Sequence, residues 1–144
     1  MSVIRVNLKP LFKGKEPHKE ICGELLLIDK VISYLGDIDP KNGTVFGNIK
    51  IKDRILMYLG GIGSTVGSYK IYGLAVEGNA PKALIITYVD EVTVVGAVLA
   101  NIPLFLIKES DFKKIKESVN SGNNIVHACI KDEVLIIEGY IHSY

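Results

Sequence analysis

The chain has 144 residues, 48% hydrophobic and 23% charged, and its 17 basic against 16 acidic side chains leave a formal charge of +1. That length fits one domain, residues 1–144, around one core, with roughly two thirds of the unfolded surface buried on folding. The even charge balance gives no basic footprint, so nucleic acid is excluded as an expected partner. The most apolar segment, residues 92–107, is interrupted by Gly96, Asn101 and Pro103 and is too short to span a bilayer, so no membrane association is expected. Cys22 and Cys129 form no CxxC pair, and two cysteines alone supply neither an iron–sulfur cluster nor a cysteine-rich zinc site. Reduced thiols in a cytoplasmic protein are the simplest reading, with a single disulfide the alternative, and no metal ligands are assigned on this chain.

In chain order, residues 1–15 alternate apolar and polar side chains and do not read as a signal peptide, and a strand is expected at residues 3–8. Further strands are expected at residues 20–28, near 44–46 and at 54–59, separated by turn signals such as Lys-Gly-Lys, Asp-Pro and Asn-Gly. A helix over 65–77 follows, with Val66, Tyr69, Tyr72 or Gly73, and Val76 at helical spacing and a stop at Gly78-Asn79. After the apolar run 83–89, Asp90 is the expected cap of a second helix whose buried face holds Val94, Val95, Val98 and Leu99. The run 103–107, a charged helix over 111–119 and a hairpin of 124–130 with 133–140 complete the chain. Strand, helix, strand, helix, strand at this spacing implies parallel pairing through crossovers. The fold class is α/β, a parallel βαβαβ unit with β-rich elements at both ends.

The stretch most suggestive of chemistry is LGGIGSTVGS, residues 59–68. Gly61, Gly63 and Gly67 give G-x-G-x-x-x-G, one residue too long for the dinucleotide fingerprint, and Asp90 comes late for a ribose-binding acid. A P-loop needs Gly-Lys-Ser/Thr, and no lysine lies between Leu56 and Tyr69. Ser64 is not in the G-x-S-x-G setting of a hydrolase nucleophile. Two readings stay open from the residues. Ser64 or Thr65 caps a helix after a tight turn, or the N–H groups of residues 63–66 hold an anion with the two hydroxyls as donors. Asp37 and Asp39, in GDIDP, either orient substrate and bond the glycine loop or simply shape a turn.

Together, SYLGDIDPKNG (33–43), LGGIGSTVGS (59–68) and EGNAPKALII (77–86) resemble the small subunit of the aconitase X family, in order from about residue 20 to residue 106. The resemblance implies a single swivelling β/β/α domain like the swivel domain of aconitase. It also implies a hydro-lyase that, in archaea, removes water from mevalonate 5-phosphate to give trans-anhydromevalonate 5-phosphate. In that family the small subunit works as a heterodimer with a large subunit that carries a [4Fe-4S] cluster. Carried over, Ser64 is the proton acceptor, and the chemistry of the two loops makes Gly61, Gly63, Thr65, Asp37 and Asp39 the residues expected to bind a small phosphorylated hydroxy acid. A cis-3-hydroxyproline dehydratase subunit is the alternative within the family, and a stand-alone anion-binding module the alternative outside it. This sequence has Ile62 where the family usually has Arg between the loop glycines, and its 43–54 segment is shorter and lacks a His-Pro stretch. The chain is expected to be inactive alone.

Overall fold

The computed structural model describes residues 2–119 and 126–139. From the start these form β1 (Ser2–Asn7), β2 (Lys9–Phe12), β3 (Glu20–Ser33), a single helical turn α1 (Tyr34–Asp37), and the two-residue strands β4 (Ile38–Asp39), β5 (Thr44–Val45) and β6 (Ile49–Lys50). Then come β7 (Ile55–Ile62), a 3-10 turn (Thr65–Gly67), α2 (Ser68–Val76), β8 (Ala83–Ile86), α3 (Glu91–Ala100), β9 (Leu104–Leu106), α4 (Glu109–Val119), β10 (Val126–Lys131) and β11 (Val134–Gly139).

Eight strands make one sheet in the order β1-β11-β10-β3-β7-β8-β9-β2, and β4-β5-β6 form a small second sheet. The expected βαβαβ unit is β7-α2-β8-α3-β9, parallel throughout, and β3 extends the parallel set by pairing with β7. β3 is longer than the 20–28 strand expected, because its second half, Val31 to Ser33, continues alongside Gly60 to Ile62 after a register shift between Ile28 and Val31. β2 was not expected. Its Pro10 lacks a ladder donor, and β2 accordingly lies at an edge, paired only with β9. The hairpin falls where expected, turning at Asp132 and Glu133, both at positive φ. Residues 124, 125 and 140 of that expectation lie outside the described residues.

The single core expected is two. Alternate residues along the parallel strands point to opposite faces. Leu56, Tyr58, Leu84 and Ile86 join Ile71 and Leu74 of α2 on one side. Ile55, Met57, Ala83 and Ile85 join Phe112 and Ile115 of α4 and the apolar side of β10 and β11 on the other. A central parallel sheet requires this, since both of its faces must be covered.

Both crossover helices are turned differently from the sequence expectation. On α2 the side chains buried are Ser68, Ile71 and Leu74, whereas Tyr69, Tyr72 and Val76 are exposed. On α3 the buried set is Val92, Thr93, Gly96, Ala97 and Ala100, whereas Val95, Val98 and Leu99 are exposed. The inward face of α3 is rich in small residues, which lets the two helices approach closely, and bulky apolar side chains of both are left facing out. The thiols also differ from the simplest reading: Cys22 and Cys129 are direct partners in the antiparallel β3·β10 pair and are joined as a disulfide.

Candidate active site

β3 and β7 end side by side, with Ile32 opposite Gly61 and Ser33 opposite Ile62. The glycine loop leaves from this corner. Gly61 is glycine for want of space: a Cβ there would lie 2.5 Å from Tyr34 Cε2 and 2.7 Å from Thr93 Oγ1. Gly63 turns the chain at φ +108, a conformation that side-chain-bearing residues rarely adopt. Ser64 follows in an extended conformation and caps the 3-10 turn, its Oγ accepting from Val66 N–H at 3.3 Å and its carbonyl from Gly67 N–H at 2.9 Å. Ser64 and Thr65 are both exposed, and the Thr65 carbonyl accepts from Ser68 Oγ at 2.6 Å.

Beneath the loop lies a buried hydroxyl cluster. Tyr34 and Tyr58 meet edge to face, their hydroxyls 2.6 Å apart, and the Tyr34 hydroxyl also bonds Thr93 Oγ1. Burial pushes the Tyr34 phenol far above its usual range, with Tyr58 beside it adding to the effect, and burial does the same to Tyr58. Both stay neutral at any working pH and act as hydrogen-bond partners, not as bases. Thr93 links them to Asp90. The Asp90 carboxylate accepts from Thr93 N–H and Oγ1, each at 2.8 Å, and its Oδ2 also accepts from Gly61 N–H at 2.9 Å. Tyr88, its phenol raised by burial and then by the charge of Asp90, donates to the Gly61 carbonyl at 2.9 Å.

Sequence reasoning placed Asp90 as a helix cap, which it is, and missed its second bond to the glycine loop. No local signal marks that bond, because 29 residues separate the partners. A carboxylate at the Gly61 amide also opposes the nucleotide reading, since a pyrophosphate brought there would meet like charge. Of the two acids singled out, Asp37 holds the end of β3 through Ser33 N–H at 2.8 Å, so it borders the loop. The Asp39 carboxylate is engaged in its own turn, accepting from Lys41 N–H, Asn42 N–H and Asn42 Nδ2. Those bonds, that from the Asn42 side chain foremost, hold its pKa below the ordinary aspartate value.

The surroundings of Ser64 are apolar and open. Ile62 and Val66, either side of it, are 55% and 54% exposed, and Tyr69 and Val76 on α2 are 65% and 64% exposed. The residues of this chain do not fit an iron–sulfur cluster. Glu20, Cys22 and Cys129 cluster at the opposite end of β3 from Ser33, and the two sulfurs are bonded to each other, which removes them as thiolate ligands. No helix among the described residues is long and apolar enough to cross a membrane.

Comparison with known proteins decides the family. Residues 12–121 match the aconitase X swivel domain. The chain belongs to the aconitase X swivel-domain family. The phosphomevalonate dehydratase small subunit of Pyrococcus abyssi is 40% identical over 111 residues, covering 72% of this chain and 84% of that protein. The Methanopyrus kandleri protein of the same name is 36% identical over 129 residues, covering 85% and 91%. The crystal structure of Thermococcus kodakaraensis aconitase X in its holo-form superposes with a TM-score of 0.71 at 25% identity, over 93% of this chain and 99% of that one. The swivel-type α/β fold expected from the motifs is the fold of this family member.

Proposed function

We propose that this chain is the small subunit of a phosphomevalonate dehydratase, acting as one cytoplasmic swivel domain over residues 1–144. The observation that carries the proposal is the apolar, solvent-open rim around Ser64, formed by Ile62, Val66 and the outward face of α2. Exposed apolar surface of this kind marks a place where another protein sits. A catalytic hydroxyl inside such a rim belongs to a site that a second subunit completes. The curated relatives named as small subunits of this dehydratase support the same reading. The partner is a large subunit in a heterodimer, and the [4Fe-4S] cluster belongs to that subunit, since the donor set here does not fit one.

Dehydration of mevalonate 5-phosphate breaks a C–H bond next to the carboxylate. The electron pair forms the new double bond and the hydroxyl leaves the neighbouring carbon, so that proton and hydroxide together balance as one water. Ser64 Oγ takes the proton. A serine is a poor base at neutral pH, and the Val66 N–H that Ser64 Oγ accepts in the 3-10 turn favours its alkoxide by up to about 2 kcal/mol, too little alone. Exclusion of water and fixed charges at the closed interface must supply the remainder. Gly63 and Thr65 form the wall that substrate approaches, Gly61 is buried beneath it with both backbone groups engaged and supports it from below, Asp37 fixes its border through Ser33, and Asp39 shapes the neighbouring turn.

The test is anaerobic turnover of mevalonate 5-phosphate by this chain mixed with its candidate large subunit, each alone as control. Activity only in the mixture is expected. Ser64→Ala should then collapse kcat with little change in KM, as removal of a group acting in the transition state does. A stable complex turning over cis-3-hydroxyproline instead would move the assignment to that dehydratase, and a near-normal kcat in Ser64→Ala would remove the serine from its role.

A further inference from the structure

The β7·β8 ladder ends at Met57 opposite Ile85, yet β7 runs on for five residues to Ile62. Groups from the segment after β8 hold the free edge in place of a strand. Leu59 carbonyl accepts from Thr87 N–H at 2.9 Å and from Thr87 Oγ1 at 2.7 Å. Gly61 is held at both of its backbone groups, its carbonyl by the Tyr88 hydroxyl and its N–H by Asp90 Oδ2. With Tyr34 and Thr93 filling the space over its Cα, Gly61 has no freedom to shift. Ser64 lies three residues on, and only Gly63, exposed and free of close neighbours, offers slack between them.

We propose that Asp90 is a positioning residue for the reaction: by tying the Gly61 amide to the α3 N-terminus it fixes the strand end from which Ser64 Oγ is aimed at the substrate. This rests on the reading of Ser64 as proton acceptor. Asp90 Oδ1 takes the Thr93 N–H of the helix cap, and Oδ2 is shared between Thr93 Oγ1 and Gly61 N–H, so a capping function alone leaves the bond to Gly61 unexplained. Proton transfer depends steeply on the placement of the base, and a displacement of about 1 Å costs about 100-fold in rate. Tyr88 assists from the carbonyl side.

Two substitutions separate the roles. Asp90→Asn keeps an oxygen for the Thr93 cap but turns an amide N–H₂ toward the Gly61 N–H, and Asp90→Ser caps but is too short to reach Gly61. Both residues are good N-caps, so α3 stays capped, and the fall in the thermal midpoint should be confined to what a Gly61 N–H left without its acceptor costs. In the assembled two-subunit enzyme both should lower kcat by about 10- to 100-fold, with KM within about twofold. Because Asp90 acts through Ser64, the double variant Asp90→Ser/Ser64→Ala should be no slower than Ser64→Ala alone. A kcat near wild type in both variants, a rise in KM that accounts for the loss, or a loss that multiplies with that of Ser64→Ala would overturn the proposal. If turnover of Ser64→Ala falls below detection, the division between kcat and KM decides alone. Full turnover by Ser64→Ala would instead overturn the role of the serine, and that outcome is read before Asp90 is changed.

Discussion

Gly96 on α3 faces Ile71 on α2 so closely that a Cβ there would lie 2.5 Å from Ile71 Cδ1 and 2.9 Å from Ile71 Cβ. The terminal methyl can swing away, but Ile71 Cβ is fixed to its helix. Gly96→Ala gains about 1 kcal/mol of helix propensity and costs about 1–3 kcal/mol of overpacking. The clash should win. A fall of several degrees in the thermal midpoint is expected, and an unchanged midpoint would show that the two helices are free to separate.

The outward stripe of α2 makes a prediction about assembly. Tyr69, 65% exposed, contributes little to the fold of the isolated chain. Tyr69→Asp should leave its thermal midpoint nearly unchanged while weakening association with the large subunit by 10-fold or more, since buried aromatic anchors are typically worth about 2 kcal/mol or more. Titration calorimetry of the two subunits reads this directly. Equal affinity would place the interface elsewhere.

The disulfide closes a loop between positions 107 residues apart. Constraining an unfolded chain over that span stabilises the native state by about 5 kcal/mol in the chain-entropy account. The native protein should therefore titrate no thiol until unfolded with reductant, and reduction should lower the denaturation midpoint markedly. Two reactive thiols in the native protein would contradict the bond.

Asp39 makes a prediction about acid. Its pKa is depressed below the ordinary aspartate value, so its contribution to stability is present above that value, near about 3.9, and is lost as pH falls through the folded pKa. An NMR titration of the Asp39 carboxyl should show a midpoint below the ordinary value. Asn42→Ala, which removes the largest cause, should move the midpoint back up.

The parallel unit was legible because its signals are local. Apolar runs such as Ala-Leu-Ile-Ile and the Asp90 cap fix strand and helix starts within a few residues. Helix orientation was not legible, because α2 and α3 are apolar on almost every side and periodicity cannot say which apolar face a partner covers. The small inward residues Gly96, Ala97 and Ala100 were the signal that spacing alone overlooked. At the site, the motif located Ser64 and its glycines, whereas the bonds of Asp90 and Tyr88 to Gly61 join segments nearly thirty residues apart and leave no spacing rule to read. The disulfide was undecidable from two distant cysteines until β3 and β10 were seen in register.

The neighbours of β3 come from opposite sides of the sequence midpoint: β7 from residues 55–62 and β10 from residues 126–131. During synthesis the parallel half can therefore assemble on the ribosome while the other edge of its longest strand stays bare. That edge presents unpaired backbone groups across the middle of the future sheet, a template for the wrong strand. Sealing waits until β10 emerges, and Cys129 then arrives opposite Cys22, so the covalent bond fastens a seam that stays open until most of the chain has been made.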